Sequence, residues 1–168
     1  MVIIGLGANL THPEYGEPVN TLAAALIEIG EFCHITKQSS WYYSAPVPVS
    51  DQPWFVNAVV AGQTDHSLEE FIRALHDVER KFGRIRRMKW EPRLIDLDLL
   101  SYDDIVTENR SQEAGPVVPH PRISERAFVL APLAEILPDW RCPESQLTAT
   151  EMLENIPDHQ EFRILPST

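Results

Sequence analysis

Cysteine is scarce in this chain: Cys33 and Cys142 are the two it has, and neither belongs to a Cys-x-x-Cys or Cys/His cluster. That excludes a disulfide framework and a zinc site of ordinary spacing, and leaves both as packing residues of a reducing compartment. No apolar run approaches the ~20 residues a membrane helix needs, so no membrane partner is expected. The opening MVIIGLGANL has no basic residue ahead of its apolar stretch and reaches Asn9 too soon for a signal-peptide core, which points to the cytoplasm. Positive charge is also in short supply, with 14 Lys and Arg against 25 Asp and Glu, a net charge of −11. Repulsion at long range then opposes nucleic acid and anionic membrane as partners. Any polyanion site must rest on a local concentration of basic residues. Two phosphate signatures are missing as well. Gly5-Leu-Gly7 lacks the third glycine of a dinucleotide fingerprint, and no Gly-x-x-x-x-Gly-Lys-Ser/Thr run occurs.

What is present suits one domain over residues 1–168, enough chain for one real core and too little for two ordinary ones. Val2 to Leu6 is an apolar run that reads as a buried strand entering a tight turn at Gly-x-Gly-Ala-Asn. Leu22, Leu26 and Ile29 recur at helical spacing from Val19 to Ile29, with Gly30 placed as a positive-φ helix end. His34 to Tyr43 and Phe55 to Ala61 have strand composition. Between them Pro46, Pro48 and Pro53 stiffen a loop from Ser44 to Trp54. Ser67-Leu-Glu-Glu70 is a capping box ahead of Leu68, Phe71, Ile72, Leu75, Val78 and Phe82 on one helical face, closed by Gly83. Leu94 to Leu100 is a further strand. The order βαββαβ predicts an α+β, ferredoxin-like sandwich with helices on one face of an antiparallel sheet. Beyond it the sequence predicts a hairpin or turn from Ile105 to Val118, a Pro-His-Pro turn, and short helices at Ser124 to Leu130 and Thr148 to Ile156.

Chemistry concentrates in Gly83-Arg-Ile-Arg-Arg-Met-Lys-Trp-Glu-Pro-Arg93. Five of the 14 basic residues fall in these 11 positions. The planar fork of arginine grips phosphate oxygens at two points, so Arg84, Arg86, Arg87 and Arg93 suit a loop closing over a triphosphate. A solvated loop at a helix C-terminus, where positive charge also favours the dipole, is the plainer use of the same residues. Asp96 and Asp98 lie two apart on a predicted strand, so both carboxylates project from one face with Cα atoms roughly 6–7 Å apart. Such a pair repels itself and calls for a cation. Mg²⁺ characteristically takes one or two carboxylates and fills its other positions with water and phosphate, and paired metals recur in phosphoryl displacement. A strand with its polar face in water is the alternative, for which Asp is a poor choice.

Taken together, Gly5-Leu-Gly-Ala-Asn-Leu10, Asp51-Gln-Pro-Trp-Phe-Val-Asn57, Gly83-Arg-Ile-Arg86, Trp90-x-Pro-Arg93, Asp96-Leu-Asp98, Val118-Pro-His-Pro121 and Glu125-Arg-Ala-Phe-Val-Leu-x-Pro-Leu133 resemble one family. It is that of the 6-hydroxymethyl-7,8-dihydropterin pyrophosphokinases. The resemblance runs in consistent order from Ile4 to about Pro138, and its Pro-Arg-x-x-Asp-Leu-Asp core is highly specific. It implies transfer of the β,γ-pyrophosphoryl group of ATP to the hydroxymethyl oxygen of the pterin in folate biosynthesis, by a cytoplasmic monomer, releasing AMP. It implies a ferredoxin-like sandwich with long active-site loops and a helical C-terminal extension.

The same resemblance implies roles. Asp96 and Asp98 would bind two Mg²⁺ ions, while Arg84 and Arg93 would grip ATP phosphates. His76, Glu79, Arg86, Arg87, His120, Pro121 and Arg126 would help hold ATP. Phe55 and Phe128 would stack on the pterin, Asn57 would hydrogen-bond it, Ser44, Ala45 and Val47 would line its edge, and Trp90 would close the pocket. Phe55 and Phe128 could equally be plain core, Asn57 a strand-end residue and His120 a turn residue. Ala8, Ala45, Phe55, His76, Glu91 and Leu94 depart from the family's usual residues; Glu91 sets a carboxylate among phosphate-gripping arginines. A pterin- and ATP-binding paralogue with lost or altered kinase activity is the alternative within the fold. A ferredoxin-like RNA-binding module is the alternative outside it, opposed by the net charge and by the want of a Gly-Phe-type aromatic motif on the third strand. The last 30 or so residues contain no interpretable motif.

Overall fold

The computed structural model describes residues 1–84, 93–108, 115–157 and 160–166. Its elements run β1 (Val2–Ala8), α1 (Pro18–Gly30), β2 (His34–Gln38), β3 (Tyr42–Ser44), β4 (Phe55–Gln63), α2 (Leu68–Lys81), β5 (Asp96–Tyr102), a 3₁₀ turn (Ile123–Glu125), α3 (Ala127–Ile136), α4 (Ala149–Glu154) and β6 (Phe162–Ile164). The fold is α+β. Its sheet has the order β5-β1-β4-β3-β6, with β2 also on β4, and every pairing is antiparallel.

β1 is buried along almost its whole length, because the sheet is covered on both faces. Val2, Ile4, Leu6 and Ala8 pack with Leu22, Ile29, Phe71 and Leu75 of α1 and α2. Ile3, with Val59 and Leu100 beside it, packs with Leu130, Leu133 and Met152 of α3 and α4. The expected one-sided sandwich is thus corrected to a sheet between two helical layers. Continuous apolar runs such as Val2-Ile-Ile and Val59-Val-Ala are what double burial produces.

The long strand expected over His34 to Tyr43 is two, both paired to β4. Between them Ser39 keeps the ladder continuous: its backbone N–H donates to Val59 O at 3.0 Å, and its hydroxyl accepts from Val59 N–H at 3.0 Å. Gly30 is not in the left-handed region. The helix includes it and is capped by Glu31, at φ −70, whose N–H donates to Glu28 O at 3.2 Å, while Phe32 N–H donates to Ile29 O at 3.2 Å. Gly83 does take that conformation, at φ 75, after a helix whose capping box, Ser67 with Glu70, forms as expected. Acidic residues in the first turn of α2 and Arg80 and Lys81 in the last match its dipole.

The third helix is longer than the expected Ser124 to Leu130 and runs straight through Pro132. α4 begins on a second capping box, Thr148 with Glu151. Thr107 N–H donates to Val118 O at 2.9 Å, joining the flanks of the expected turn, whose residues 109–114 lie outside the described ones. β6 was not expected from the sequence at all. Among the described residues no helix is long and apolar enough to cross a membrane.

Candidate active site

Gly5 and Gly7 stand in β1 itself, not in a turn after it. In register, Gly7 lies between Asp96 and Asn57, and Gly5 between Asp98 and Val59. Alternation along a strand therefore puts Asp96, Asp98 and Asn57 on the face shared by α3, with two missing side chains between them. A cavity of about 170 Å³ opens over those glycines. Its walls include Ser44, Ala45, Val47, Phe55 and Asn57 on one side, Arg126 and Phe128 on another, and Arg93, Asp96 and Asp98 at one end. Ten of the residues singled out from the sequence are thus brought to one space. Arg84, Glu79 and His120 lie beside it through their contacts with Asp96, Leu97 and Asp98; His76, on α2, and Pro121 are not among its lining residues, and Arg86, Arg87, Trp90 and Glu91 are outside the described residues.

The acidic end is heavily countered. Asp96 is paired with Arg93 through Oδ2 and lies 2.6 Å from Arg84 Nη1 through Oδ1. Arg84 is also paired with Glu79, a carboxylate only 2% exposed. Glu79 Oε1 further accepts the Leu97 N–H at 2.7 Å, so α2 holds both Arg84 and β5 in place. Asp98 Oδ2 meets Arg126 Nη1 at 3.3 Å and His120 Nε2 at 3.9 Å. His120 Nδ1 accepts the Arg122 N–H at 3.1 Å, which leaves the proton of the neutral ring on Nε2, facing Asp98.

Burial, and next the charge of Asp96, push the Asp98 carboxyl up to about 6, against the pull of Arg126, Arg84 and Arg93. It lies deep in the cleft while keeping 33% of its side chain open to it. Burial also draws the Arg126 guanidinium below its usual range, opposed by Asp98. Asp96 Oδ1 is buried and makes no hydrogen bond; its contact with Arg84 is one of charge alone. Two adjacent hard oxygen donors, one without a hydrogen bond and one resisting ionisation, fit a small divalent cation sharing phosphate ligands.

The sequence did not single out Asn9, which joins the two ends of the cleft. Its Oδ1 accepts Arg93 N–H at 2.7 Å, and its Nδ2 donates to Pro53 O at 3.1 Å and Gln52 Oε1 at 3.3 Å. Its place one residue beyond a buried strand, where an apolar residue would continue the run, was the available signal. Asn57 Nδ2 donates to Ser44 Oγ at 2.8 Å, so the pocket's edge and floor are already bonded to each other.

A family model described as 7,8-dihydro-6-hydroxymethylpterin-pyrophosphokinase matches residues 3–138. The chain is 37% identical over 156 residues to a 2-amino-4-hydroxy-6-hydroxymethyldihydropteridine pyrophosphokinase of Synechocystis, covering 92% of this chain and 75% of that one. It is 35% identical over 165 residues to the protein of the same name from Haemophilus influenzae, covering 97% of each. In fold it is similar to a wild-type HPPK-DHPS chain of Plasmodium falciparum, with a TM-score of 0.69 and 13% identity over 91% of this chain and 44% of that one.

Proposed function

Since the chain belongs to the 7,8-dihydro-6-hydroxymethylpterin-pyrophosphokinase family, we propose that it moves the β,γ-pyrophosphoryl group of ATP onto the hydroxymethyl oxygen of 6-hydroxymethyl-7,8-dihydropterin. The products are the pterin diphosphate and AMP, a step of folate synthesis. The observation that carries this reading is the meeting of Asp96 and Asp98 with Ser44, Phe55, Asn57 and Phe128 around one cavity. A phosphate-handling end and a slot for a flat polar ring are continuous there.

In the reaction, the hydroxymethyl oxygen bonds to the β-phosphorus while the bond from that phosphorus to the oxygen bridging it to the α-phosphorus breaks; that oxygen leaves with the electron pair as part of AMP, and the hydroxyl proton passes to solvent. Phe55 and Phe128 supply faces for the bicycle, and Asn57 and Ser44 supply the polar edge that sets its orientation. Arg93 and Arg126 line the cavity beside the acidic pair and neutralise phosphate charge, with Arg84 behind them. Asp96 and Asp98 would hold Mg²⁺, two ions in this reading, whose charge would offset that of the phosphates. Positioning and charge neutralisation supply most of the catalysis, as is usual in phosphoryl transfer. Arg86, Arg87, His76, Glu79, His120 and Pro121 are assigned to the ATP side, and Trp90 to closure over the pterin.

The order β5-β1-β4-β3 with helical crossovers α1 and α2 supports a ferredoxin-like βαββαβ core, elaborated by α3, α4 and β6. Both hydrophobic layers share one sheet, which supports a single domain over residues 1–168; action as a cytoplasmic monomer is part of the same proposal and rests on the family resemblance. The test is incubation with Mg²⁺, ATP and the pterin, followed by separation of nucleotides. AMP formed in step with pterin consumed is the expected result. ADP instead would mean a different kinase, and no turnover with intact binding would mean a paralogue that has lost the step.

A further inference from the structure

Residues 160–165 lie beyond the span matched by the family model, yet they touch both walls of the cleft. α3 begins at Ala127 without a side-chain cap of its own, since Arg126 in the cap position makes no such bond. The cap comes instead from Gln160. Its Oε1 accepts the Ala127 N–H at 3.0 Å, and its Nε2 donates to Glu125 O at 2.8 Å. A carboxamide turned the other way would set NH₂ against N–H and oxygen against oxygen, so the orientation follows from chemistry. The two backbone groups it holds flank Arg126, whose guanidinium lies 5.7 Å from the Phe128 ring centre and reaches Asp98.

One peptide bond further on, the chain holds the opposite wall. Glu161 O accepts the Ala45 N–H at 3.1 Å, and Phe162 of β6 pairs with Ser44. The Arg163 guanidinium lies 5.5 Å from the Trp54 ring centre and 5.8 Å from that of Tyr43, pinning the far end of the loop that bears Ala45 and Val47. Leu165 N–H donates to Trp41 O at 2.7 Å, which fastens the segment down beyond β6.

We infer that Gln160 is a positioning residue for the pterin slot: its carboxamide caps α3 from the C-terminal segment and sets Phe128 and Arg126 at a fixed distance from the Ser44 to Phe55 wall. This rests on the pyrophosphokinase reading for the identity of the occupant, but the clamp itself is independent of it. Gln160 is half-buried, so its replacement removes two hydrogen bonds without opening the core.

Two measurements on the full-length protein test it. The first is hydrogen–deuterium exchange over residues 123–130 without substrate. Gln160→Ala is expected to speed exchange at the Ala127 amide about three- to tenfold, the scale of one or two lost hydrogen bonds. The second measurement is the pterin KM and kcat, together with pterin affinity by calorimetry in Mg²⁺ and a non-hydrolysable ATP analogue. Gln160→Ala is expected to raise KM and Kd for the pterin about three- to tenfold while kcat changes less than about twofold, since orientation at the slot rather than at the phosphates is loosened. Unchanged exchange at Ala127 in Gln160→Ala overturns the clamp whether or not the pterin binds. Faster exchange with unaltered pterin affinity overturns the positioning role. A wild-type protein that binds no pterin defeats the functional reading alone, and the exchange experiment still decides the clamp.

Discussion

A methyl group on Gly7 would stand 3.3 Å from Asn57 Oδ1, the nearest heavy atom to it across the sheet. Gly7 is not among the positive-φ glycines, so its backbone tolerates any residue and the restriction comes from the neighbour. Asn57 is itself tied to Ser44, so it cannot give way without shifting the pocket's polar edge. Gly7→Ala is therefore expected to raise the pterin KM roughly tenfold, in line with the sensitivity of bound geometry to displacements of under an ångström, with the thermal midpoint little changed. Steady-state kinetics with varied pterin at saturating ATP checks it.

Asp96→Asn and Asp98→Asn keep the size of each side chain and remove one charge from the facing pair. Turnover is expected to fall at least about a hundredfold in each, the scale of losing a preorganised electrostatic group. The fold is expected to persist, because Arg84 keeps Glu79, the isosteric amide still offers an oxygen to each arginine, and the cleft is open to solvent. AMP formation with far-ultraviolet dichroism as the control gives the answer; near-normal turnover in either variant would remove the paired-metal argument.

Glu79 separates two uses of a carboxylate. Its oxygen is spent on Leu97 N–H and Arg84, and its side chain is nearly sealed from solvent. Glu79→Ala takes from Arg84 the more buried of its two partners, leaving Asp96, and leaves a backbone N–H unbonded, an expected loss of about 2–4 kcal/mol in urea unfolding. A direct ATP contact as its main role predicts something else: unaltered stability and a raised ATP KM.

Gly62→Ala probes the far end of the sheet, away from the cleft. Its Cβ would meet Cys33 Sγ at 2.7 Å and His34 O at 2.8 Å. The second is backbone, which can move only by disturbing the β2–β4 ladder. A destabilisation of about 1–3 kcal/mol is expected from this overpacking, read as a lower urea midpoint, with kcat and both KM values unchanged at a temperature where the variant is folded.

The local signals that were legible share one property: each is complete within a few residues. The Ser67 to Glu70 box, the positive φ of Gly83 and the common face of Asp96 and Asp98 all follow from spacing alone, and all are present. Features that depend on distant partners were not legible. β6 has three exposed residues and no alternation to betray it; it is a strand because β3 offers an unpaired edge. The second helical layer was missed for a similar reason, since α3 and α4 look like short independent helices until Ile3, Val59 and Leu100 are seen to need a cover. Gly30 does end α1, but without the left-handed conformation expected of it, because Glu31 continues in the right-handed region and closes the last turn. The site's acidic end was readable because its residues cluster in the chain, but Asn9 and Gln160 act across 84 and 33 residues of sequence.

The second hydrophobic layer stops partway along the sheet, where Gly5 and Gly7 follow Ile3 on the same face. In the function proposed above, a flat bicycle seated over those two glycines would continue that layer as a core side chain does, and its transfer out of water would be the same kind of event as folding. Its binding then carries the calorimetric mark of desolvated apolar surface, a negative heat-capacity change. Affinity for the ring consequently has a curved temperature dependence with an optimum, like the stability of the protein around it.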